Sequence, residues 1–216
     1  MQIQFFGKSF VTLLIAAQLS ACGAIAVGGV AAGASVMADR RTPGVQAIDR
    51  GIELEANAVL AKKFGDNAHI NVTSFNQKVL LTGEAKDADI KSAAGDYVKS
   101  MKNARSVFNE IIIGPNSSYT ARANDAYLES KIKTQMIFTE KLPSNSMSVV
   151  VTGTSVYLMG ILTQNEADMA KKIASNTNGV KDVYVYFDII STEEKNRLEK
   201  QGKADEAQPN TPPKFQ

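Results

Sequence analysis

The chain has 216 residues, of which 44% are hydrophobic and 21% are charged, so it fits one or two ordinary globular domains. Its 24 basic and 22 acidic side chains leave a formal net charge of +2. This balance argues against a nucleic-acid partner, because such binding relies on neutralising many phosphates. One histidine (His69) and one cysteine (Cys22) cannot form an ordinary zinc site, a Cys/His dyad or a disulfide. These counts exclude most redox and metallo-enzyme chemistry. We expect no metal site and no cofactor, and we expect no catalysis because no paired acid/base site is found and a single histidine could activate at most one serine.

The first 21 residues have the pattern of a secretory signal peptide. Lys8 precedes an uncharged apolar run over residues 9–21, which is shorter than the about 20 apolar residues that a transmembrane helix needs. The next residue is Cys22. The sequence Leu19-Ser20-Ala21-Cys22 resembles the bacterial lipobox, in which a large aliphatic residue and two small ones precede a cysteine. This resemblance implies cleavage before Cys22, followed by acylation of its thiol and amine with palmitate-like chains.

Residues 22–45 are predicted to be the lipidated cysteine and a flexible tether. Gly23 to Ala38 contains only small or apolar uncharged residues, and it is too short and too rich in glycine to span a bilayer. This segment is interpreted either as a tether lying near lipid headgroups or as a plain linker. In lipoproteins of this kind, an aspartate after the cysteine favours the inner membrane. Gly23 in that place implies the outer membrane, with the protein facing the periplasm.

The remaining chain repeats itself, with a constant offset of 77 positions between residues 70–83 and their counterparts. Each copy contains two runs of alternating apolar residues separated by a turn, which predicts a β-hairpin. The second strand of each hairpin is expected to end at Gly83 or Gly160. An amphipathic helical stretch and a third strand follow each hairpin, over residues 86–102 and 106–111 in the first copy and residues 163–176 and 182–187 in the second.

Another amphipathic helix precedes each hairpin. Its spacing predicts that Leu54, Ala58, Ala61 and Phe64 face the core of the first copy, with Leu128, Ile132, Gln135 and Phe138 in the same places of the second. The fold class is therefore α+β. We predict two tandem αββαβ domains over residues 46–114 and 119–190, each a three-stranded sheet with two helices on one face. Residues 191–216 are predicted to be a polar tail, helical for about ten residues and then disordered.

The αββαβ order and two short motifs resemble the BON domain. The second strands read V-x-L-x-G, as in Val156 to Gly160, and the last strand of the second copy begins with G-V-x-x-V from Gly179 to Val183. Two such domains behind a lipobox resemble the dual BON-domain outer-membrane lipoproteins, over roughly residues 19–190. The resemblance implies a non-catalytic protein that binds anionic phospholipid through its second BON domain. It also implies support of outer-membrane integrity near division sites.

The first helix of the second copy carries the best candidate for lipid contact. Tyr127, Lys131 and Gln135 recur every four residues, beside a core stripe of Leu128, Ile132 and Met136. A tyrosine ring suits the membrane interface, and a lysine can reach a phosphate while its stem packs on apolar surface. We predict a phospholipid site formed by Tyr127, Leu128, Lys131 and Gln135, with Leu128 contributing where the helix end dips into lipid.

The corresponding stripe of the first copy is predicted to be Glu53, Asn57 and Ala61, which places an acid where the second copy has an aromatic ring. The second copy is therefore the better candidate for binding a phosphatidylglycerol-like lipid. In an alternative interpretation, Tyr127 and Lys131 form a solvated helix face, or Tyr127 packs against the first domain. The alternative function is a scaffold for envelope or outer-membrane assembly proteins.

Overall fold

The computed structural model describes residues 39–207, and it describes side chains as far as residue 202. The predicted signal peptide, Cys22 and nearly all of the tether lie outside these residues. Two αββαβ units are followed by a C-terminal helix. The helices are α1 (Pro43–Phe64), α2 (Ala88–Lys99), α3 (Tyr119–Ile137), α4 (Gln164–Ser175) and α5 (Thr192–Ala207), and the strands are β1 (Ala68–Phe75), β2 (Lys78–Ala85), β3 (Ser106–Asn109), β4 (Ile112–Ile113), β5 (Met147–Thr152), β6 (Ser155–Leu162) and β7 (Asp182–Ile189).

Each repeat forms a sheet whose second strand lies in the centre. β2 pairs antiparallel with β1 and parallel with β3, and β6 pairs in the same way with β5 and β7. In the first repeat β4 also pairs with β2, beyond a break at which Ile111 is buried in the core. The predicted fold of two αββαβ BON-like units is confirmed, and the first sheet has this additional short strand.

Each hairpin has a tight two-residue turn, and an aspartate of the preceding helix binds it. Asp49 of α1 is buried and accepts hydrogen bonds from the N–H groups of Asn76 at 2.8 Å and Gln77 at 2.7 Å. Both turn residues have positive φ angles, as this type of turn requires. In the second repeat, Asp125 of α3 accepts from the N–H of Gly153 at 3.0 Å. Burial raises the pKa of Asp125 despite this hydrogen bond.

The side of α1 that faces the core differs from the prediction. Ile52, Ala56 and Leu60 are buried, whereas Leu54 is 57% exposed. The spacing of apolar residues allowed either stripe, and the hydrogen bonds of Asp49 to the hairpin turn orient the helix. Such a contact between distant parts of the chain cannot be read from periodicity.

The second strands continue two residues beyond the glycines that were predicted to end them. Gly83 has a φ of 103°, and a Cβ there would lie 2.0 Å from the backbone oxygen of His69 on β1. Glycine is therefore needed where β1 passes close to β2, rather than for the connection to the next helix.

The two sheets pack against each other through the faces that the helices of the repeats leave uncovered. Phe75 and Leu80 of the first repeat form a buried cluster with Tyr157, Met159 and Ile161 of the second. At one side of this cluster, the ring of Phe108 stacks on Tyr186 with 4.1 Å between ring centroids. Polar contacts at the same side include the ion pair of Lys78 with Asp188 at 2.9 Å.

A buried charge cluster binds the beginning of the described chain to the second repeat. The Arg40 side chain is fully buried, and its two terminal nitrogens donate to the Glu166 carboxylate at 2.8 and 2.9 Å. They also donate to Glu199 of α5 at 2.7 Å and to the backbone oxygen of Ile161 at 2.9 Å. Lys195 of α5 forms a second ion pair with Glu166 at 3.1 Å. Arg40 and Glu166 therefore hold α5 in place.

The helix α5 runs from Thr192 to Ala207, which is longer than the predicted helix of about ten residues, and residues 208–216 of the predicted disordered tail lie outside the described residues. Its composition is polar throughout, and the single leucine, Leu198, packs against the cluster between the sheets. Tertiary contacts thus stabilise a helix that local composition did not favour beyond ten residues. None of the helices within residues 39–207 is both long and apolar enough to cross a membrane.

The ionised Glu166 carboxylate should make the free energy of unfolding depend on pH below about 4.5. Burial alone would raise the pKa of Glu166, but Arg40, the N–H of Thr163 and Lys195 together lower it from 4.5 to about 2. Because the folded pKa is depressed, this stabilisation is fully present above pH 4.5 and is lost as the pH falls towards 2. We expect the difference in unfolding free energy between the native chain and Glu166→Gln, measured by urea denaturation, to shrink across that window. A difference that stayed constant from pH 5 to about pH 2 would contradict this assignment.

Candidate membrane interface

The helix α3 has a well-defined start and one buried side. The hydroxyl oxygen of Ser118 caps its N-terminus by accepting from the N–H of Ala121 at 3.2 Å. Leu128, Ile132 and Met136 recur every four residues and are all buried against the sheet of the second repeat, as predicted. The rotation of α3 about its axis is therefore fixed by packing, which also determines the residues that face solvent.

Three large apolar side chains of α3 face solvent together with Phe138, the residue that caps the C-terminus of the helix. Tyr119 is 86% exposed, Tyr127 67%, Ile137 52% and Phe138 79%. At 3.6 residues per turn these four positions fall within an arc of about 100°. Over the 1.5 Å rise per residue they extend about 28 Å along the helix. We call these four side chains the α3 apolar strip.

Basic side chains lie beside the α3 apolar strip. The guanidinium of Arg122 lies over the Tyr119 ring, 4.5 Å from its centroid. Lys131 is half-buried and forms no ion pair within the part of the chain whose side chains are described. Lys133, on the other flank, pairs with Glu129 at 2.6 Å. The strip therefore combines exposed rings with cations, an arrangement that suits the boundary between acyl chains and anionic headgroups.

The structure separates the four residues of the predicted phospholipid site. Tyr127 is exposed and Lys131 is half-buried on the same side of α3. Gln135 is exposed and accepts a hydrogen bond from the Thr177 hydroxyl at 3.1 Å. Leu128 is only 4% exposed and packs in the core, so it is removed from the candidate contact residues.

Tyr119, Ile137 and Phe138 were missed by the sequence analysis. Phe138 was predicted to face the core, because the two first helices were aligned at an offset of 74 residues. The buried triplets that begin at Ile52 and at Leu128 are 76 residues apart, which turns Phe138 outward. A helical projection centred on Leu128, Ile132 and Met136 would have placed all three on the exposed side.

The correct register also changes the comparison with the first repeat. The residues of α1 that match Tyr127, Lys131 and Gln135 are Gly51, Glu55 and Val59, rather than Glu53, Asn57 and Ala61. The first repeat therefore has no side chain in place of the tyrosine and an acid in place of the lysine. Its exposed large hydrophobic residue on α1 is Leu54.

The chain enters the described structure close to one end of the α3 apolar strip. The N–H of Arg40 donates to the hydroxyl of Ser146 at 3.3 Å, just before β5 begins. The neighbouring Ser144 and Asn145 line a small crevice together with Ile137. The N-terminal segment that carries Cys22 therefore joins the fold at the Phe138 end of the helix, not at the Tyr119 end.

Comparison with known proteins supports the same organisation. The model of the BON domain family matches residues 48–115 and 124–191, more than half of the chain. The chain belongs to the BON domain family. It is 30% identical over 171 residues to the outer membrane lipoprotein DolP of Haemophilus influenzae, covering 78% of this chain and 89% of that protein. It is 27% identical over 147 residues to a 21 kDa hemolysin of Actinobacillus pleuropneumoniae, covering 67% and 76% of the two chains.

The match to DolP extends across both BON domains. It supports the conclusion that the chain is an outer-membrane lipoprotein of the DolP type. Cys22, the predicted site of lipid attachment, lies outside the described residues.

Proposed function

We propose that this BON protein is a non-catalytic, lipid-anchored module that binds anionic phospholipid through α3 of its second BON domain. Acyl chains on Cys22 would hold it in the inner leaflet of the outer membrane, facing the periplasm. The observation that carries the proposal is the α3 apolar strip, in which Tyr119, Tyr127, Ile137 and Phe138 are all more than half exposed on one side of a single helix. A soluble monomer gains nothing from exposing such side chains together.

The strip is suited to lying in the interface rather than crossing it. Full burial of one large apolar side chain contributes about 1.5–3 kcal/mol, so partial insertion of four gives useful but reversible affinity. Each basic group close to an anionic surface adds about 1 kcal/mol. Lys131 and Arg122 lie beside the exposed rings, and neither forms an ion pair with a carboxylate in the described part of the chain. Lys131 is therefore available to lipid phosphates, whereas the guanidinium of Arg122 also donates to the backbone oxygen of Ser117 at 2.6 Å.

Acyl chains on Cys22 would keep the domains close to the bilayer, where a modest affinity is enough for binding. Residues 22–38 can extend about 3.3–3.6 Å each, so the domains would stay within roughly 60 Å of the bilayer. Confinement of this kind turns a weak second contact into one with a high effective concentration.

Co-sedimentation with liposomes tests the lipid contact directly. We expect the mature chain with Cys22→Ser, which has no acyl group, to sediment with vesicles containing phosphatidylglycerol and much less with pure phosphatidylcholine. Binding should weaken as salt rises from about 0.05 M to 0.5 M, because the headgroup attraction is screened. Equal binding to both lipids, or none to either, would contradict the proposed function.

We further propose that this contact supports outer-membrane integrity, including at division sites. The alternative is a scaffold that holds envelope or outer-membrane assembly proteins, and the exposed rings of the α3 apolar strip would also suit a protein partner. Complementation of a deletion strain separates the two functions. Under the lipid proposal, variants that lose liposome binding should also fail to restore the permeability barrier to a large antibiotic. Variants that keep liposome binding and fail to restore the barrier would favour the scaffold.

A further inference from the structure

The last strand of the second repeat is a long edge strand with exposed apolar side chains. β7 runs for eight residues, from Asp182 to Ile189, and pairs along its whole length with β6, which is its only strand neighbour in the described structure. Tyr184 is 43% exposed, Val185 40% and Ile189 52%. An edge strand of this kind is a template for pairing with another strand.

Both edges of the first sheet are protected against such pairing. At one edge, the Asn57 amide accepts from the N–H of Val72 on β1 at 3.1 Å and donates to the backbone oxygen of the same residue at 3.3 Å. At the other edge, β3 ends at Asn109, Ile111 turns into the core, and β4 resumes the pairing with β2 at Ile112. A break of this kind bends the strand and makes its edge a poor template. β7 has no such break.

The hydrogen bonds at the two ends of β7 show which of its backbone groups point away from β6. The N–H of Asp182 donates to the backbone oxygen of Thr154 at 3.4 Å, and the N–H of Ile190 donates to that of Leu162 at 2.9 Å. In a parallel pair, the residues that bond the neighbouring strand alternate, so the even-numbered residues of β7 bond β6. The residues whose N–H and C=O groups point outward are Val183, Val185, Phe187 and Ile189.

The central part of this edge is open and is bounded on both sides. The ammonium of Lys78 donates to the backbone oxygen of Phe187 at 3.1 Å. Towards the start of the strand, the N–H of Lys181 is bound within the second repeat at 2.9 Å. Between these two points, no group within residues 39–202 binds the outward N–H and C=O of Val183 or Val185. The open edge therefore consists of these two valines.

We propose that β7 pairs antiparallel with β7 of a second copy of the chain, about a two-fold axis at Tyr184. In this register Val183 of each copy lies opposite Val185 of the other, and each such pair exchanges N–H···O bonds in both directions. The open groups of the two strands thus satisfy each other. The pairing ends where Lys181 meets Phe187, the residues whose backbone groups already have partners.

The side chains of β7 suit a second copy of the same strand. Tyr184 lies opposite its own counterpart in this register, and cross-strand aromatic pairs stabilise antiparallel sheets. Its ring is already held by stacking on Tyr157, with 5.2 Å between the ring centroids. Val183 and Phe187 pack against the core beneath the helices, so Val185 extends the apolar surface on that other face of the strand.

The charges along β7 also match in the antiparallel direction. Asp182 is exposed and forms no ion pair within residues 39–202. Near the other end of the strand, Lys78 at 2.9 Å and Arg105 at 3.8 Å both pair with Asp188, which leaves one positive charge in excess. The proposed register places Asp182 of one copy opposite Tyr186 of the other, whose backbone oxygen accepts from Lys78 at 3.4 Å. Opposite charges therefore meet at both ends of the paired segment.

The first repeat has exposed apolar side chains near the same edge. Ile112 is 49% exposed and Ile113 54%, both on β4. Glu110, just before β4, accepts from the hydroxyl of Tyr186 at 2.8 Å, so β4 begins beside β7. Antiparallel pairing keeps the same face of both copies on one side, and both β4 strands would lie on that face of the joined sheet. The strand contact itself is small, so we expect a weak and reversible dimer.

Pairing through β7 would leave the α3 apolar strip uncovered. β5 and β7 are the opposite edges of the second sheet, and α3 packs beside β5. The dimer would present two copies of the strip on the same face of the joined sheet, and bivalent contact would raise the apparent affinity for a vesicle. This consequence rests on the proposed lipid binding, whereas the strand pairing does not and is tested without lipid.

Analytical ultracentrifugation of the mature chain with Cys22→Ser tests the pairing. We expect the average mass to rise from monomer towards dimer between about 10 µM and about 1 mM, the range in which a small interface associates. Val185→Lys places a charge next to the two-fold axis and should keep the chain monomeric. The matched control is Ile189→Lys, on the same strand but outside the paired segment, which should dimerise like the parent chain. Circular dichroism verifies that each variant is folded.

Disulfide cross-linking tests the register. Tyr184→Cys in the same Cys22→Ser chain should give a linked dimer under mild oxidation, because the Cα atoms of facing residues at the axis would lie about 4.5 Å apart. Ile189→Cys is more exposed but should cross-link at least about tenfold more slowly, since the two copies of residue 189 lie far from each other in this register.

Three results would overturn the inference. One is a chain that remains monomeric at about 1 mM, which would leave β7 for a strand of another protein. Another is a dimer that responds equally to Val185→Lys and Ile189→Lys, which would place the contact elsewhere. The third is equal cross-linking of Tyr184→Cys and Ile189→Cys, because the axis would then not lie at Tyr184.

Discussion

Replacing Arg40 with alanine is expected to lower the free energy of unfolding by about 3–5 kcal/mol, the cost of breaking a buried ion pair from one side. The substitution removes the Arg40 cation from Glu199 and leaves Lys195 as the one ion-pair partner of Glu166 within the described residues. It also removes the link between the beginning of the fold and α5. For a domain pair of this size we expect the melting temperature to fall by roughly 10 °C, measured by circular dichroism or calorimetry.

Arg50→Ala is the matched control for this prediction. Arg50 also pairs with a glutamate, Glu53 at 3.3 Å, but its side chain is 68% exposed. Exposed pairs of this kind contribute about 0–1 kcal/mol, so the control should melt within a few degrees of the native chain. A similar small effect for Arg40→Ala would mean that the buried cluster does not hold α5. Arg40→Lys should rescue only in part, since lysine lacks the forked donors that bind both carboxylates.

The double variant Tyr127→Glu with Phe138→Glu is expected to weaken binding to phosphatidylglycerol vesicles roughly one hundredfold, which corresponds to about 3 kcal/mol. Each substitution removes an exposed ring from the α3 apolar strip and adds a charge that the anionic surface repels. Both side chains are mostly exposed, so the fold should remain intact, as circular dichroism would verify. Binding is measured by liposome co-sedimentation or by surface plasmon resonance on supported bilayers.

Leu54→Glu provides the control on the other repeat. Leu54 is 57% exposed on α1, the helix that corresponds to α3. The affinity of this variant for phosphatidylglycerol vesicles should stay within about twofold of that of the native chain, since a single exposed leucine does not form a strip. If Leu54→Glu weakened binding as much as the double variant, the contact would not be specific to the second BON domain. If neither change had an effect, the lipid-contacting surface would lie outside α3.

The repeat and the fold class could be predicted because their signals are local. Alternating apolar residues predict a strand wherever one face is buried, and the offset of 77 residues between the hairpins is visible without any structure. The glycines and turn residues mark the same boundaries. The lone Cys22 behind an apolar run predicts a lipid anchor from an equally local signal, and this stays a prediction because Cys22 lies outside the described residues.

The side of α1 that faces the core could not be predicted in this way. Two stripes of comparable apolar content run along the helix, and only the contact of Asp49 with a turn some 27 residues away selects Ile52, Ala56 and Leu60. The related error in the register of the two helices placed Phe138 in the core, and three of the four residues of the α3 apolar strip were missed. Here hydrogen bonds between residues far apart in the chain determine which side of α1 faces the core, a choice that the periodicity of apolar residues did not settle.

What the sequence determined by itself is the duplicated αββαβ unit and the tyrosine of the second copy that faces solvent. The lipobox cysteine stays a prediction, because Cys22 lies outside the described residues. The tertiary structure decided the packing of the two sheets around Tyr157 and Met159, the binding of α5 by Arg40, and the binding of β1 by Asn57. Each of these depends on side chains that lie far apart in the chain and meet only after both repeats have folded. Local propensity contains no information about these tertiary contacts, because the free energy that stabilises them comes from burial and pairing between segments that are distant in sequence.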